Sequence, residues 1–385
     1  MTRVTNRPLL AHVGCSKTGT SSFQVGLWRS VADLEAAGVG VPFVGRRAHR
    51  TRLLDPFGWR PAKGFVDPWD DAALERTTER LRDAPGERVL ISNEDLVELG
   101  PAQIERFVDV ADTAGLDLHL IITVRDWAQQ IPSEYQQFLR HGMSETYPDF
   151  VRQVRDRSGH WGEQFWRRQD LAGILTRWKA VEPERISVVV VPAYSADPDG
   201  LFRLMGEAIG LDHSLIQRPQ HAANTSHGVV EAEVFRRVNA TLPAPFDDYS
   251  PAYKHLIRLP FSAGVLPTEA SARIVLPDTE LAWVDARARE VISEVRTSGC
   301  RVLGDMDGLL PSAARTARQV PVDEADIARV SVETLARFAD LTRRLLAERD
   351  EPDEPGEPPE PGEQAGEQAG AAAGARSRWR GMFRR

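Results

Sequence analysis

The sequence predicts an α/β protein built on a doubly wound parallel sheet of about five strands, and three observations carry that prediction. Short apolar runs recur at 9–13, 38–43, 89–92, 118–124 and 186–192, each bounded by turn-forming or charged residues. Apolar residues at helical spacing fill the intervals, and strands alternating with helices build a parallel sheet with right-handed crossovers. The runs 118–124 and 188–191 lack alternation, which is the pattern of strands covered on both faces. In such a sheet, ligands gather at the carboxyl ends of the strands.

The first run passes into Gly14-Cys15-Ser16-Lys17-Thr18-Gly19-Thr20-Ser21-Ser22, after which Phe23, Leu27, Val31 and Leu34 return at helical spacing. Two glycines permit a tight loop. Amides of that loop and of the new helix's first turn then converge on an anion. Lys17 adds a mobile positive charge there, and Thr18, Thr20, Ser21 and Ser22 add hydroxyls. In the nucleotide-hydrolase loop G-x-x-x-x-G-K-[ST] the lysine follows the second glycine; here it precedes Gly19, so this loop is a relative and not a copy. Glu94 follows the third run and Arg125 the fourth, which places both on the loop's edge of the sheet.

The remaining segments are read in turn. Between 46 and 86 the chain reads as an irregular insertion, with Pro56, Gly58, Pro61, Gly64 and Pro68 among Phe57, Trp59, Phe65 and Trp69. Its aromatics either wall an acceptor pocket or pin the loop to the body, and the two readings stand level. Pro132 is expected to begin a helix or break one, leaving free N–H groups beside Ser133. Trp178, spaced with Leu171 and Leu175, reads as core, while His160, Trp161 and Trp166 stay between pocket and core. Thr225 or Ser226 is expected to cap a helix starting at Gly228. Ile327, Val330, Leu335, Phe338, Leu341, Leu345 and Leu346 form an amphipathic stripe expected to dock on the body.

Composition sets bounds. The predicted organisation is a single domain over 1–349 and a disordered tail over 350–385, rich in Glu, Pro, Gly and Ala, which buries too little apolar surface to offset chain entropy. A net charge of −8 argues against broad nucleic-acid binding. The only cysteines, Cys15 and Cys300, give neither a disulfide framework nor zinc spacing. No secretory signal or membrane-spanning run is legible, so the expected location is cytoplasmic. The tail ends in Arg376-Ser377-Arg378-Trp379-Arg380-Gly381-Met382-Phe383-Arg384-Arg385. Peripheral contact of 376–385 with an anionic membrane is weighed there against an inert, solvated end, and the inert end is favoured. Cys15 reads as a space-filler in preference to a thiol activated by the helix N-terminus.

Three segments in this order, Lys17-Thr18-Gly19-Thr20-Ser21-Ser22, Ser92-Asn93-Glu94-Asp95, and Arg125 with Ser133 eight positions later, resemble the sulfotransferases that use 3'-phosphoadenosine 5'-phosphosulfate (PAPS). The resemblance implies that Lys17, Thr18, Gly19, Thr20, Ser21 and Ser22 hold the donor's phosphosulfate and that Arg125 and Ser133 hold its 3'-phosphate. It implies Lys17 and Glu94 as catalytic residues and a small-molecule, glycan or lipid acceptor bearing a hydroxyl, with carbohydrate preferred. Glutamate at position 94 follows the bacterial and glycan-modifying members, where cytosolic eukaryotic members carry histidine. The resemblance also implies a P-loop nucleotide-binding fold with a helical C-terminal part, the similarity running on more weakly through Asn224-Thr225-Ser226 to about Arg301, and it implies no metal. The competing readings are a P-loop kinase or nucleotide hydrolase using magnesium, and a non-catalytic binding protein of the same fold.

Overall fold

The computed structural model describes residues 7–60, 64–65, 69–219, 226–243, 250–267, 271–312, 316–317 and 321–350. A six-stranded, wholly parallel sheet is formed by β1 (Arg7–Gly14), β2 (Val39–Gly40), β3 (Arg88–Ser92), β4 (Leu116–Val124), β5 (Ile186–Val190) and β6 (Arg301–Leu303), in the order β2-β3-β1-β4-β5-β6. The five predicted strands are present. The sixth was missed because it is only three residues long and begins on an exposed arginine, so it has no apolar run to read. The second predicted strand contracts to Val39–Gly40, since Pro42 has no N–H to give a ladder.

β1 is central, with β3 on one side and β4 on the other, and the chain passes from β3 to β4 across it. On one face, Leu10, Leu90, Ile121, Val189 and Leu303 of five strands pack with Phe23 and Leu27 of α1 (Thr20–Arg29) and with Phe202 and Met205 of a later helix, Gly200–Ile209. Leu9, Ala11 and Val13 alternate to the other face and are also fully buried, which is why the strands read as continuous apolar runs.

The segment read as an irregular insertion is substantially helical. It includes α2 (Asp71–Arg82), whose first turn is capped by the Asp70 carboxylate accepting from the Ala73 amide at 2.9 Å. Phe57 is fully buried against Phe107 of α3 (Pro101–Thr113), and Phe107 meets the equally buried Trp178 edge-on. Phe57 and Trp178 are therefore core, while Trp69 lies beneath the Arg106 guanidinium at 5.5 Å.

Where the sequence predicts one domain, the described residues group into two compact units. One draws on Met1–Phe138, Glu145–Ser226 and Ile274–Val320, the other on Leu139–Ser144, His227–Arg273 and Pro321–Arg385. In the second unit the helix Val229–Thr241 is N-capped by Gly228, and the Ser271 hydroxyl accepts from the Val230 amide at 3.0 Å. That corrects the cap expected from Ser226; Thr225 lies outside the described residues, as does Asn224. The stripe on the helix Glu324–Asp350 is buried at Ile327 and Val330 and half-buried at Phe338, Leu341 and Leu345, but Leu335 is 69% exposed and Leu346 46%, so it is covered only in part. The tail expected to be disordered, with its basic end, lies outside the described residues beyond 350. Among the described residues, no helix is long and apolar enough to cross a membrane.

Candidate functional site

The site begins where β1 stops. Gly14 takes a φ of +126°, and a Cβ there would lie 3.2 Å from the Glu94 carbonyl oxygen, so a side chain would be strained by conformation and crowded as well. The chain turns through Lys17 at φ 62° and Gly19 at φ 89° into α1, a ten-residue helix with no acidic residue in its first turn. Phe23 is the first residue whose amide reaches back to Gly19, at 3.1 Å, which leaves the amides of Thr20, Ser21 and Ser22 as first-turn donors with no carbonyl partner in the helix. Their hydroxyls make no hydrogen bond among the described residues. Amides and hydroxyls so placed, with Lys17 beside them, are donors that can hold an anion.

The loop is held from beneath by a buried polar layer. The Thr18 hydroxyl donates to the Cys15 carbonyl at 2.7 Å and lies 2.6 Å from the Thr123 hydroxyl, which lies 3.1 Å from His12 Nε2. His12 Nδ1 in turn sits 2.8 Å from the Ser92 hydroxyl. Burial pushes the His12 imidazole down to about 3, so it is neutral at physiological pH and offers one donor and one acceptor to the two hydroxyls. Thr18 thus spends its hydroxyl inward.

Arg125 follows β4, and Ser133 stands on α4 (Trp127–Leu139). The structure brings them together: Arg125 Nη2 donates to Ser133 Oγ at 3.2 Å. Lys17 Nζ donates to Gln137 Oε1 at 3.0 Å. Ser133 and Gln137 are four residues apart on α4, about 6 Å along one helical face, so the lysine and the arginine–serine pair attend the same stretch of helix. Glu94 opens a 3₁₀ turn, Glu94–Glu98, and its carboxylate accepts from Gln24 of α1 at 2.7 Å. Asp95 turns away to Arg168 at 3.2 Å, a half-buried guanidinium that Glu98 also grips at 2.6 Å.

One expectation is corrected here. Pro132 neither begins nor breaks a helix; α4 runs through it, and the Ser133 hydroxyl donates to the Gln129 carbonyl at 2.7 Å. No helix end lies beside Ser133. The proline removes one ladder bond, to the Ala128 carbonyl, and the cost is offset by the buried face of Ala128, Ile131, Tyr135, Phe138 and Leu139.

The supporting residues Gln24, Gln130, Glu134, Gln137 and Gln169 were not singled out from the sequence. The Ser16 hydroxyl donates to the Glu134 carboxylate, and Gln169 Nε2 donates to Ser16 Oγ at 2.9 Å and to Glu134 Oε1 at 2.8 Å. One signal was available: Gln130, Glu134 and Gln137 recur at helical spacing in an amphipathic segment, and Gln130 and Glu134 are fully buried.

Cys15 lies within this layer. Burial first, with the Glu134 carboxylate adding to it, pushes its thiol up to about 12, in keeping with a space-filler. At pH 8 the thiolate fraction is then roughly one in ten thousand. Alkylation of the folded protein with iodoacetamide should modify the half-buried Cys300 and leave Cys15 untouched until denaturant is added. Peptide mapping by mass spectrometry reads this, and equal labelling of both would overturn it.

These features define an α/β protein with a glycine- and hydroxyl-rich loop bearing Lys17 at the tip of its central strand and Arg125 at the neighbouring strand's tip. No protein-family model matches the chain, and none of the curated proteins matches it. Among solved structures, a sulfotransferase from Alicyclobacillus acidocaldarius is similar at 18% identity and a TM-score of 0.38, covering 56% of this chain and 86% of that one.

Proposed function

We propose that this protein is a sulfotransferase that moves a sulfuryl group from PAPS to a hydroxyl acceptor. The observation that supports it best is the common placement of two separate cationic grips: Lys17 on Gln137 and Arg125 on Ser133, one turn apart on α4. A donor carrying phosphate at both its 5' and 3' positions matches a site with two such grips. The α1 amides, the Thr20, Ser21 and Ser22 hydroxyls and Lys17 would hold the phosphosulfate, and Arg125 with Ser133 the 3'-phosphate. Bound there, PAPS supplies an activated sulfuryl group and a phosphate leaving group.

The residues of this chain then do three things. The loop amides and Lys17 face the oxygen on which charge builds as the bond to the sulfuryl group breaks. Arg125 and Ser133 fix the nucleotide, so that attacking and leaving oxygens fall in line. Glu94 accepts the acceptor's hydroxyl proton, its carboxylate oriented by Gln24. A kinase-like use of magnesium would want the loop hydroxyl and a strand-end acid directed at the ion. Thr18 donates instead to the Cys15 carbonyl and Asp95 is engaged by Arg168, so such a use would fall to Thr20 and to Glu94, whose carboxylate accepts from Gln24. Carbohydrate remains the proposed acceptor class, though Phe57, being core, does not contribute to an aromatic pocket wall.

Arg125→Ala should weaken PAPS binding roughly 10- to 100-fold, the equivalent of losing charge-assisted hydrogen bonds of about 1.5–3 kcal/mol. Adenosine 5'-phosphosulfate, which has no 3'-phosphate, should bind wild type and variant alike. Calorimetric titration of both ligands checks this, and an equal loss for the two would remove Arg125 from the 3'-phosphate.

A further inference from the structure

The loop after β1 and the arginine after β4 are joined through a single side chain. Gln130, on the first turn of α4, is fully buried, and its amide has two protons and two oxygen lone pairs. All four are used. Nε2 donates to the Ser16 carbonyl at 2.9 Å and to Gln169 Oε1 at 3.0 Å, while Oε1 accepts from Arg125 Nη2 at 2.6 Å and Nε at 3.1 Å. The amide can sit only one way round, because a guanidinium only donates and a peptide carbonyl only accepts.

We propose that Gln130 is a positioning residue that couples the two anion-binding ends of the site, fixing the phosphate loop and the Arg125–Ser133 pair at one separation. The inference rests on reading the site as one that holds a doubly phosphorylated nucleotide. A ligand already held at one end meets the other as an intramolecular partner, and its effective concentration there depends on how firmly the separation is set. Gln130 sets it through the Ser16 carbonyl on one side and the guanidinium on the other. Gln169 braces the link, since it accepts from Gln130 and donates to the Ser16 carbonyl at 3.2 Å. Gln130 thus hydrogen-bonds both Arg125 and the loop directly.

The test is a set of calorimetric titrations of the full chain with adenosine 3',5'-bisphosphate, adenosine 5'-phosphate and adenosine 3'-phosphate. In the wild type the bisphosphate should bind more tightly than the two monophosphates together account for. Gln130→Met keeps the length and removes every hydrogen bond. It should reduce that excess by on the order of tenfold, while changing each monophosphate's affinity no more than about threefold. A general loosening of the fold would lower all three affinities together and overturn the coupling role, as would an excess that survives intact in the folded variant. Should Gln130→Met fail to fold, Gln130→Glu keeps the acceptors for Arg125 and loses both donations, and the same fall in the excess is expected; its persistence would overturn the inference. A wild type with no preference for the bisphosphate would instead count against the PAPS reading itself.

Discussion

Replacing Lys17 with alanine should lower the rate of sulfuryl transfer by about 10²–10³ while leaving the fold in place. The size follows from what the lysine would do: it is the mobile charge of the loop, and charge placed on a departing oxygen acts in the transition state more than in the ground state. Its backbone sits at φ 62°, a conformation uncommon outside glycine, asparagine and aspartate, so a sequence optimised for stability alone would place one of those residues there. Alanine at the same φ keeps the backbone strain and removes the ammonium together with its methylene stem, so the backbone conformation is unchanged between the two proteins. Gln137→Ala, which takes away the lysine's partner at 3.0 Å, should cost much less, since the ammonium survives and only its aim is loosened. Transfer of radiolabelled sulfate from PAPS to an acceptor panel reads both variants, alongside thermal melting to confirm folding. Wild-type transfer by Lys17→Ala would remove the lysine from the chemistry.

The parts of the site legible in the sequence are those that local pattern marks. At the tips of β1, β3 and β4 an apolar run gives way to glycine, acid or arginine, and this change places the loop, Glu94 and Arg125 on one edge with no knowledge of distant contacts. The layer that holds them in place has no such mark. Gln24 meets Glu94 across 70 positions, and Gln169 meets Ser16 across 153. A glutamine is an unremarkable surface residue until the fold buries it. The Pro132 expectation failed for a related reason: the local rule counts the lost ladder bond but not the apolar face that the continuous helix buries on either side of it. A helical C-terminal part was expected but not its grouping as a separate unit, because its helices carry the same 3.6-residue periodicity as those that flank the sheet.

Glu94→Gln should bind PAPS as the wild type does and transfer about 10²–10⁴ times more slowly, the range for loss of a positioned general base. The substitution is nearly isosteric. The new amide oxygen can still accept from Gln24 Nε2, so α1 and the 3₁₀ turn after β3 should keep their arrangement. Only the capacity to take a proton is lost. That loss should depend on the acceptor: an acidic phenol releases its proton with little help, whereas a sugar hydroxyl needs a base, so the deficit should shrink steadily as acceptor acidity rises. Asp95→Asn provides the contrast, because its carboxylate serves Arg168 at 3.2 Å; it should lower stability, the half-buried guanidinium keeping only Glu98 as a counter-charge, and leave the acceptor dependence unchanged. Steady-state rates across a series of graded acceptors decide the matter. A deficit of constant size from phenols to sugars would make Glu94 a residue of shape and not of proton transfer, and the same dependence appearing in Asp95→Asn would move the base to its neighbour.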